Sequence, residues 1–159
     1  MIRFRPTARL LVLDPDGRVL LFSAADPRGQ VWFTPGGGVH QGESLEAAAV
    51  RELAEETGHV RAEADIGPVV ATSAGLWVTQ GGRTYFGADS YFLVRVAGAW
   101  VDTDGQEELE RSVITGHRWW APGELRASGD RVASTGLCDL VDRLLGDGAP
   151  AAPVRLAWR

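Results

Sequence analysis

Pro35-Gly36-Gly37-Gly38 breaks the chain just before its most regular segment, and this loop–helix junction restricts the fold more than any other feature. Ser44 to Thr57 reads as one helix: Ser44 can cap its first turn, alanines and leucines fill it, and Gly58 ends it. At about 100° per residue, Glu52, Glu55 and Glu56 fan over about 100° on one side. Ala47, Val50, Leu53 and Ala54 gather on the other, the side expected to meet the core. Carboxylates this close repel, at roughly 0.2–0.5 kcal/mol per i,i+3 or i,i+4 pair. They also sit near the helix C-terminus, where the macrodipole disfavours anions. Two unfavourable choices in one place point to a cation that offsets them. An all-oxygen, charged ligand set suits a hard divalent ion, Mg²⁺ or in its place Mn²⁺. The competing explanation of the acidic run alone is a solvated face, with Arg51 neutralising Glu55 one turn away.

The rest of the chain is mainly strand. Thr7–Leu13 and Arg18–Ser23 flank Asp14-Pro15-Asp16-Gly17 and read as a hairpin. Val31–Thr34 is a short apolar strand. Ile66–Val78 and Thr84–Ala97 are longer ones, joined by a tight turn, and Gly116–Ala121 is another. Pro122-Gly123-Glu124-Leu125 looks like a helical start. Leu137, Leu140, Val141, Leu144 and Leu145 recur with a period near 3.6, which predicts a second helix over 135–145. Strands interrupted by helices imply an α/β (α+β) sandwich with a mixed sheet. Residues 1–146 are expected to form one domain; 147–159 are a Gly/Ala/Pro-rich tail whose Val154-Arg155-Leu156-Ala157-Trp158 either adds an edge strand or stays loose.

With its glycines, the acidic helix reads Gly37-x5-Glu43-x7-Arg51-Glu52-Leu53-x-Glu55-Glu56-x-Gly58. This resembles the signature of the Nudix hydrolases, of the MutT-like kind, and all eight fixed positions match. The resemblance implies an α/β/α sandwich in which the signature is a loop–helix–loop. It implies that Glu52, Glu55 and Glu56 hold Mg²⁺, with the Gly36 carbonyl completing the shell. Arg51 would orient a ligand glutamate, and Glu43 would support the loop–helix geometry. The implied reaction is hydrolysis of a diphosphate linkage, the metal positioning a water and a carboxylate removing its proton. One position departs: the final, usually apolar, residue is His59.

Members of the family differ in the base, taken from the signature or from a later loop. Glu110, or Glu107 beside it, could supply it from the loop before His117-Arg118-Trp119-Trp120. On the substrate side, Arg28, Arg83 and Arg118 are candidate phosphate contacts. Trp32, Phe33, Trp77, Tyr85 and Phe86 could stack on a base, and of Trp119 and Trp120, which should face opposite ways, one could do so. Core packing and solvation are the ordinary roles of these side chains. Nothing resembling the Ser-Gln-Pro-Trp run of NADH-cleaving members follows Val60. Where ADP-ribose or dinucleoside-polyphosphate members carry a proline or tyrosine, this chain reads Ala74-Gly75-Leu76-Trp77.

A formal net charge of −5 gives no support for binding a nucleic-acid polymer. With no substrate-specific motif present, the resemblance implies a small nucleoside triphosphate or nucleoside diphosphate derivative as partner, and a homodimer is left open. Cys138 is the only cysteine, so no intrachain disulfide can form. A reducing, cytoplasmic setting fits that best. No apolar run approaches the ~20 residues of a membrane helix. Two other classes compete. A non-catalytic nucleotide sensor on the same scaffold usually lacks the carboxylates that are intact here. An isomerase of isoprenoid diphosphates would need a cysteine at a strand end, whereas Cys138 falls in the second helix.

Overall fold

The computed structural model describes residues 1–158. Two long strands, β1 (Arg3–Leu13) and β6 (Thr84–Arg95), run parallel at the centre, in register from Arg3 opposite Tyr85 to Leu13 opposite Arg95. β5 (Val69–Val78) pairs antiparallel with β6, and β9 (Val154–Arg155) lies parallel to β5 at the edge. On the other side the sheet continues through β2 (Val19–Asp26), β3 (Gly29–Phe33) and β8 (Arg131–Val132). β4 (Gly36–Gly38) pairs with β1, and β7 (Ile114–Trp120) with β2. The helices are α1 (Leu45–Thr57), α2 (Glu108–Val113), α3 (Pro122–Ser128) and α4 (Leu137–Asp147). The mixed sheet with helices is the expected α+β class.

Strand alternation separates two cores. Leu11, Leu13, Val19, Leu21 and Tyr91 point to one face, where α4 lays down Leu137, Leu140, Val141 and Leu144. Leu10, Val12, Leu20 and Phe92 point to the other, against Ala48, Ala49 and Leu53 of α1. Trp119 and Trp120 divide between these cores as alternation requires.

Three expectations need correction. The hairpin is closed at its turn, where Asp14 Oδ1 accepts the N–H groups of Asp16 and Arg18, yet β1 and β2 are in register only at Leu13 and Val19. The main partner of β1 is β6, a distant strand that no local pattern reveals. The triglycine break is itself a strand: Gly36, Gly37 and Gly38 pair with Arg9, Ala8 and Thr7. The acidic loop at 106–110 runs into the short helix α2. Of the two alternatives for the tail, the edge strand is formed, anchored by buried Leu156, whose N–H donates to Thr72 O at 2.8 Å.

Candidate active site

α1 has the ends expected of it. Ser44 Oγ accepts the Ala47 N–H at 3.0 Å, and Gly58 adopts a left-handed φ of 78° while its N–H bonds Ala54 O. Its orientation is not the expected one. The residues buried along it are Ala48, Ala49, Glu52, Leu53, Glu56 and Thr57, so two of the three fanned carboxylates turn into the molecule. Glu55 stays at the rim, about a third exposed.

Glycine makes the inward turn possible. A Cβ on Gly37 would overlap the Glu52 carboxylate, so β4 can lie against it only without side chains. The Gly36 N–H donates to Glu56 Oε2 at 2.7 Å. Arg51 gathers the remaining groups: it donates to both oxygens of Glu43 (2.8 and 3.0 Å), to Glu52 Oε1 (2.7 Å), to Glu55 Oε2 (3.3 Å) and to Gly38 O (3.0 Å). Bidentate contact with Arg51 holds the Glu43 carboxyl down at about 2. The same pairing raises the Arg51 guanidinium further. Glu52 and Glu56 move the opposite way. Burial raises Glu52 despite Arg51, and burial, with the nearby Glu52 and Glu110 charges, pushes Glu56 up to about 8.

The third carboxylate of the cluster comes from elsewhere. The segment before α2 lies directly on the end of α1: a Cβ on Gly105 would fall 2.8 Å from Glu55 O, and the Asp102 N–H donates to Thr57 O. This delivers Glu110, whose Oε2 accepts the Glu107 N–H at the start of α2. Among the described residues, Glu52, Glu56 and Glu110 each bring a carboxylate oxygen within 4.8 Å of the others. Glu55 is not of that set; its carboxylate accepts from Arg51. The set fits a hard divalent ion. It is all oxygen, two members are buried, and Glu52 Oε2 is enclosed without a hydrogen-bond partner.

The cluster borders a cavity of about 470 Å³. Its acidic end holds Glu52, Glu107 and Glu110, and the glycines of β4 line one side. Its floor is the odd-numbered face of β1 and β6, with Arg5, Arg9 and Asp89, and Trp77 and Trp158 make it aromatic. Arg9 Nε lies 3.9 Å from Asp89 and its Nη1 donates to Thr34 O. Arg5 lies between the ends, 3.7 Å from where a Gly38 Cβ would be and 5.7 Å from the Trp77 ring.

Of the residues named from sequence, Gly36, Glu52, Glu110 and Trp77 border this cavity, and Arg51, Glu55 and Glu56 adjoin it. Arg28 does not reach it; it sits by Asp26 in a different depression. Arg83 is exposed in the β5–β6 turn, and Trp119 packs against the α1 core. Arg118 lies over the Trp120 ring at 3.7 Å. His59 is buried, stacked on Trp100 at 3.8 Å with a ring nitrogen 2.9 Å from Trp100 O. Sequence reasoning missed Arg5, Arg9, Asp89 and Trp158. The alternation Arg5-x-Thr7-x-Arg9 carried a signal, because period two puts all three on one strand face.

The NUDIX domain model matches residues 3–137, most of the chain. The protein belongs to the Nudix family. An RNA pyrophosphohydrolase of Novosphingobium aromaticivorans is 30% identical over 137 residues, covering 77% of this chain and 80% of that one. A putative 8-oxo-dGTP diphosphatase of Bacillus subtilis is 34% identical over 119 residues, covering 74% and 67%. Other curated RNA pyrophosphohydrolases match over 55–57 residues, and the chain spans only about a third of their length. In structure, the ORF135 protein of E. coli superposes with a TM-score of 0.60 at 21% identity, covering 95% of this chain and 96% of that one. This Nudix domain also has no helix among its described residues long and apolar enough to cross a membrane.

Proposed function

We propose that this Nudix protein hydrolyses a diphosphate linkage in a nucleoside triphosphate or nucleoside diphosphate derivative, with Mg²⁺ as its cofactor and Mn²⁺ able to replace it. The observation that carries this reading is one cavity joining an acidic cluster, an arginine-bearing floor and an aromatic end. A bound divalent ion would supply Lewis-acid polarisation of phosphate oxygens and a more acidic water. Glu52 and Glu56 would hold it from α1, aided by the Gly36 carbonyl. Arg51 fixes Glu52 through Oε1 and leaves Oε2 buried without a hydrogen-bond partner. Glu110 approaches from α2, across from α1, and takes the proton of the attacking water. Arg5 is placed to contact a phosphate, whereas Arg9 is already engaged by Asp89 and Thr34. The small-nucleotide choice follows the family's chemistry, the overall acidity of the chain giving no support to a nucleic-acid polymer, and the cytoplasmic setting follows its single cysteine.

The test is a hydrolysis panel with Mg²⁺: nucleoside triphosphates, nucleotide sugars, ADP-ribose and a 5′-triphosphorylated RNA. Release of phosphate products from a small nucleotide is expected. Preference for the RNA would replace the substrate class, and no hydrolysis across the panel would favour a sensor. Glu110→Gln should lower turnover about 10²–10⁴-fold, the usual contribution of a general base, with a smaller loss of Mg²⁺ affinity by calorimetry than Glu52→Gln or Glu56→Gln, because Glu110 is the least buried member of the cluster. Undiminished turnover would remove Glu110 from this role.

A further inference from the structure

The central strands are longer than the helix that covers them. β1, with 11 residues, spans about 36 Å, and α1, with 13, only about 20 Å. α1 packs on the even-numbered face of β1 and β6 at Ala8, Leu10, Val12 and Phe92. The strands continue past it toward the β5–β6 turn, and there the same face is exposed. Pairing sets two rows across three strands: Phe4, Phe86 and Leu76 are in line, with Pro6, Ala88 and Ala74 in the row beside them. Paired residues share a face, and the Phe4 and Phe86 rings stack with centroids 6.3 Å apart. Phe4 is 67% exposed, Leu76 57% and Phe86 39%, and Val78 in the following row 62%. The odd-numbered face of these strand ends is already used. There Trp77 stacks on Tyr85, and the paired Gly75 and Gly87 lie beneath the Trp158 indole at the cavity.

We propose that this exposed face is the contact surface of a homodimer, its occupant a second copy of this chain. Its apolar side chains expose roughly 500 Å² per copy, near the upper end for the largest patch of a monomer. Two copies together would bury about 1,000 Å², the area at which a specific interface begins to hold. Shape selects the occupant. The Phe4 row is a ridge and the Pro6 row a parallel furrow next to it. A two-fold axis lying between two such sheets, along the rows, seats the ridge of each copy in the furrow of the other. That is the self-complementarity an isologous contact requires. The two sheets then stack about 10 Å apart, as in a β-sandwich. The six residues of the two rows carry no charge and no polar side chain, so they offer nothing to orient a peptide or a polyanion. The cavity lies on the other side of the strands, so neither copy's site is blocked. The contact is independent of the reaction proposed above.

Sedimentation velocity on the full chain across micromolar concentrations tests this. The wild type should reach twice the chain mass with a micromolar Kd, as suits an interface of this modest size. Leu76→Glu and Phe4→Glu each bring two like charges into the contact, one from each copy, and should raise Kd about a hundredfold or more. Both side chains are exposed in the single chain, so far-UV circular dichroism of the variants should match the wild type. Ala88→Phe separates shape from mere adhesion. It adds apolar area but fills the furrow, and overpacking of this kind should weaken the dimer roughly tenfold. A wild type that stays monomeric at the highest concentration overturns the proposal. So does a dimer that survives both glutamate variants, since it must form elsewhere, and so does tighter association of Ala88→Phe.

Discussion

α1 and α4 lie on opposite faces of the same sheet and are buried by opposite means. α4 turns Leu137, Leu140, Val141 and Leu144 inward, the apolar stripe its sequence displays. α1 turns Glu52 and Glu56 inward, with small or single apolar neighbours around them. The first arrangement gains free energy from apolar area removed from water. The second loses free energy to desolvated carboxylates, offset in part by Arg51 and by the Gly36 N–H. On the proposed function, one domain thus holds a helix that contributes to stability and a helix that gives up stability for chemistry.

Paired substitutions can break that contrast. Glu56→Gln, nearly isosteric, should cut hydrolysis roughly a hundredfold or more, since even groups that only support metal ligands cost 10–100-fold when lost. The same change should leave the metal-free protein as stable as before or more so. Leu144→Ala should do the reverse, costing about 2–5 kcal/mol with turnover per folded molecule unchanged. Denaturant melts and steady-state rates on both variants decide the matter. If Glu56→Gln destabilises as much as Leu144→Ala, the inward carboxylate is structural and the division between the helices fails.

pH sharpens the comparison because the two kinds of carboxylate on this unit titrate in opposite senses. Glu56 is raised to about 8 from an ordinary 4.5. Its ionisation therefore opposes folding, and metal-free stability should be full below pH 4.5 and decline as pH rises through about 8. Glu43 is lowered to about 2 from the same 4.5. Its contribution is present above pH 4.5 and disappears as pH falls toward 2. Thermal melts across this range should show loss at both ends. Glu56→Gln should flatten the alkaline limb alone, and an unchanged alkaline limb would exclude Glu56 as its source. Saturating Mg²⁺ should flatten the same limb in the wild type, since a cation favours the ionised carboxylate.

Much of this was legible in the sequence, and the gaps have physical causes. The caps Ser44 and Gly58, the stripe of α4 and most strands followed from local pattern, because each is specified within one or two turns. The inward rotation of α1 did not. A wheel that sends Ala47, Val50, Leu53 and Ala54 to the core assumes that apolar residues decide the buried face, and the carboxylates were placed outside by that assumption. The signature identified Glu52 and Glu56, and Glu110 was named from its acidic context, yet only the fold of the 102–107 segment onto α1 brings the three together. Arg28 and Arg83 were named for chemistry without position. Arg5 and Trp158 were passed over because the β1–β6 pairing and the glycine pair beneath the indole join residues far apart in sequence.

The smallest effect concerns how α1 is held when its face is chosen for chemistry. α4 begins at Gly136 and has no side-chain cap, relying on its apolar stripe. α1 has Ser44 Oγ on the Ala47 N–H two turns before Glu52, and the left-handed Gly58 just after Glu56. With little apolar area on its inward face, α1 should depend more on these ends. Ser44→Ala is expected to cost about 1 kcal/mol, a fall in Tm of roughly 2–4 °C for a domain of this size. Turnover at a temperature where the protein remains folded should be unaffected, since the cap does not touch the carboxylates. A cost near zero would mean that the Arg51–Glu43 pairing by itself fixes the start of α1. The charged cluster would then hold the helix as well as equip it, and the separation between stabilising and chemical roles would run between residues of one helix rather than between the two helices.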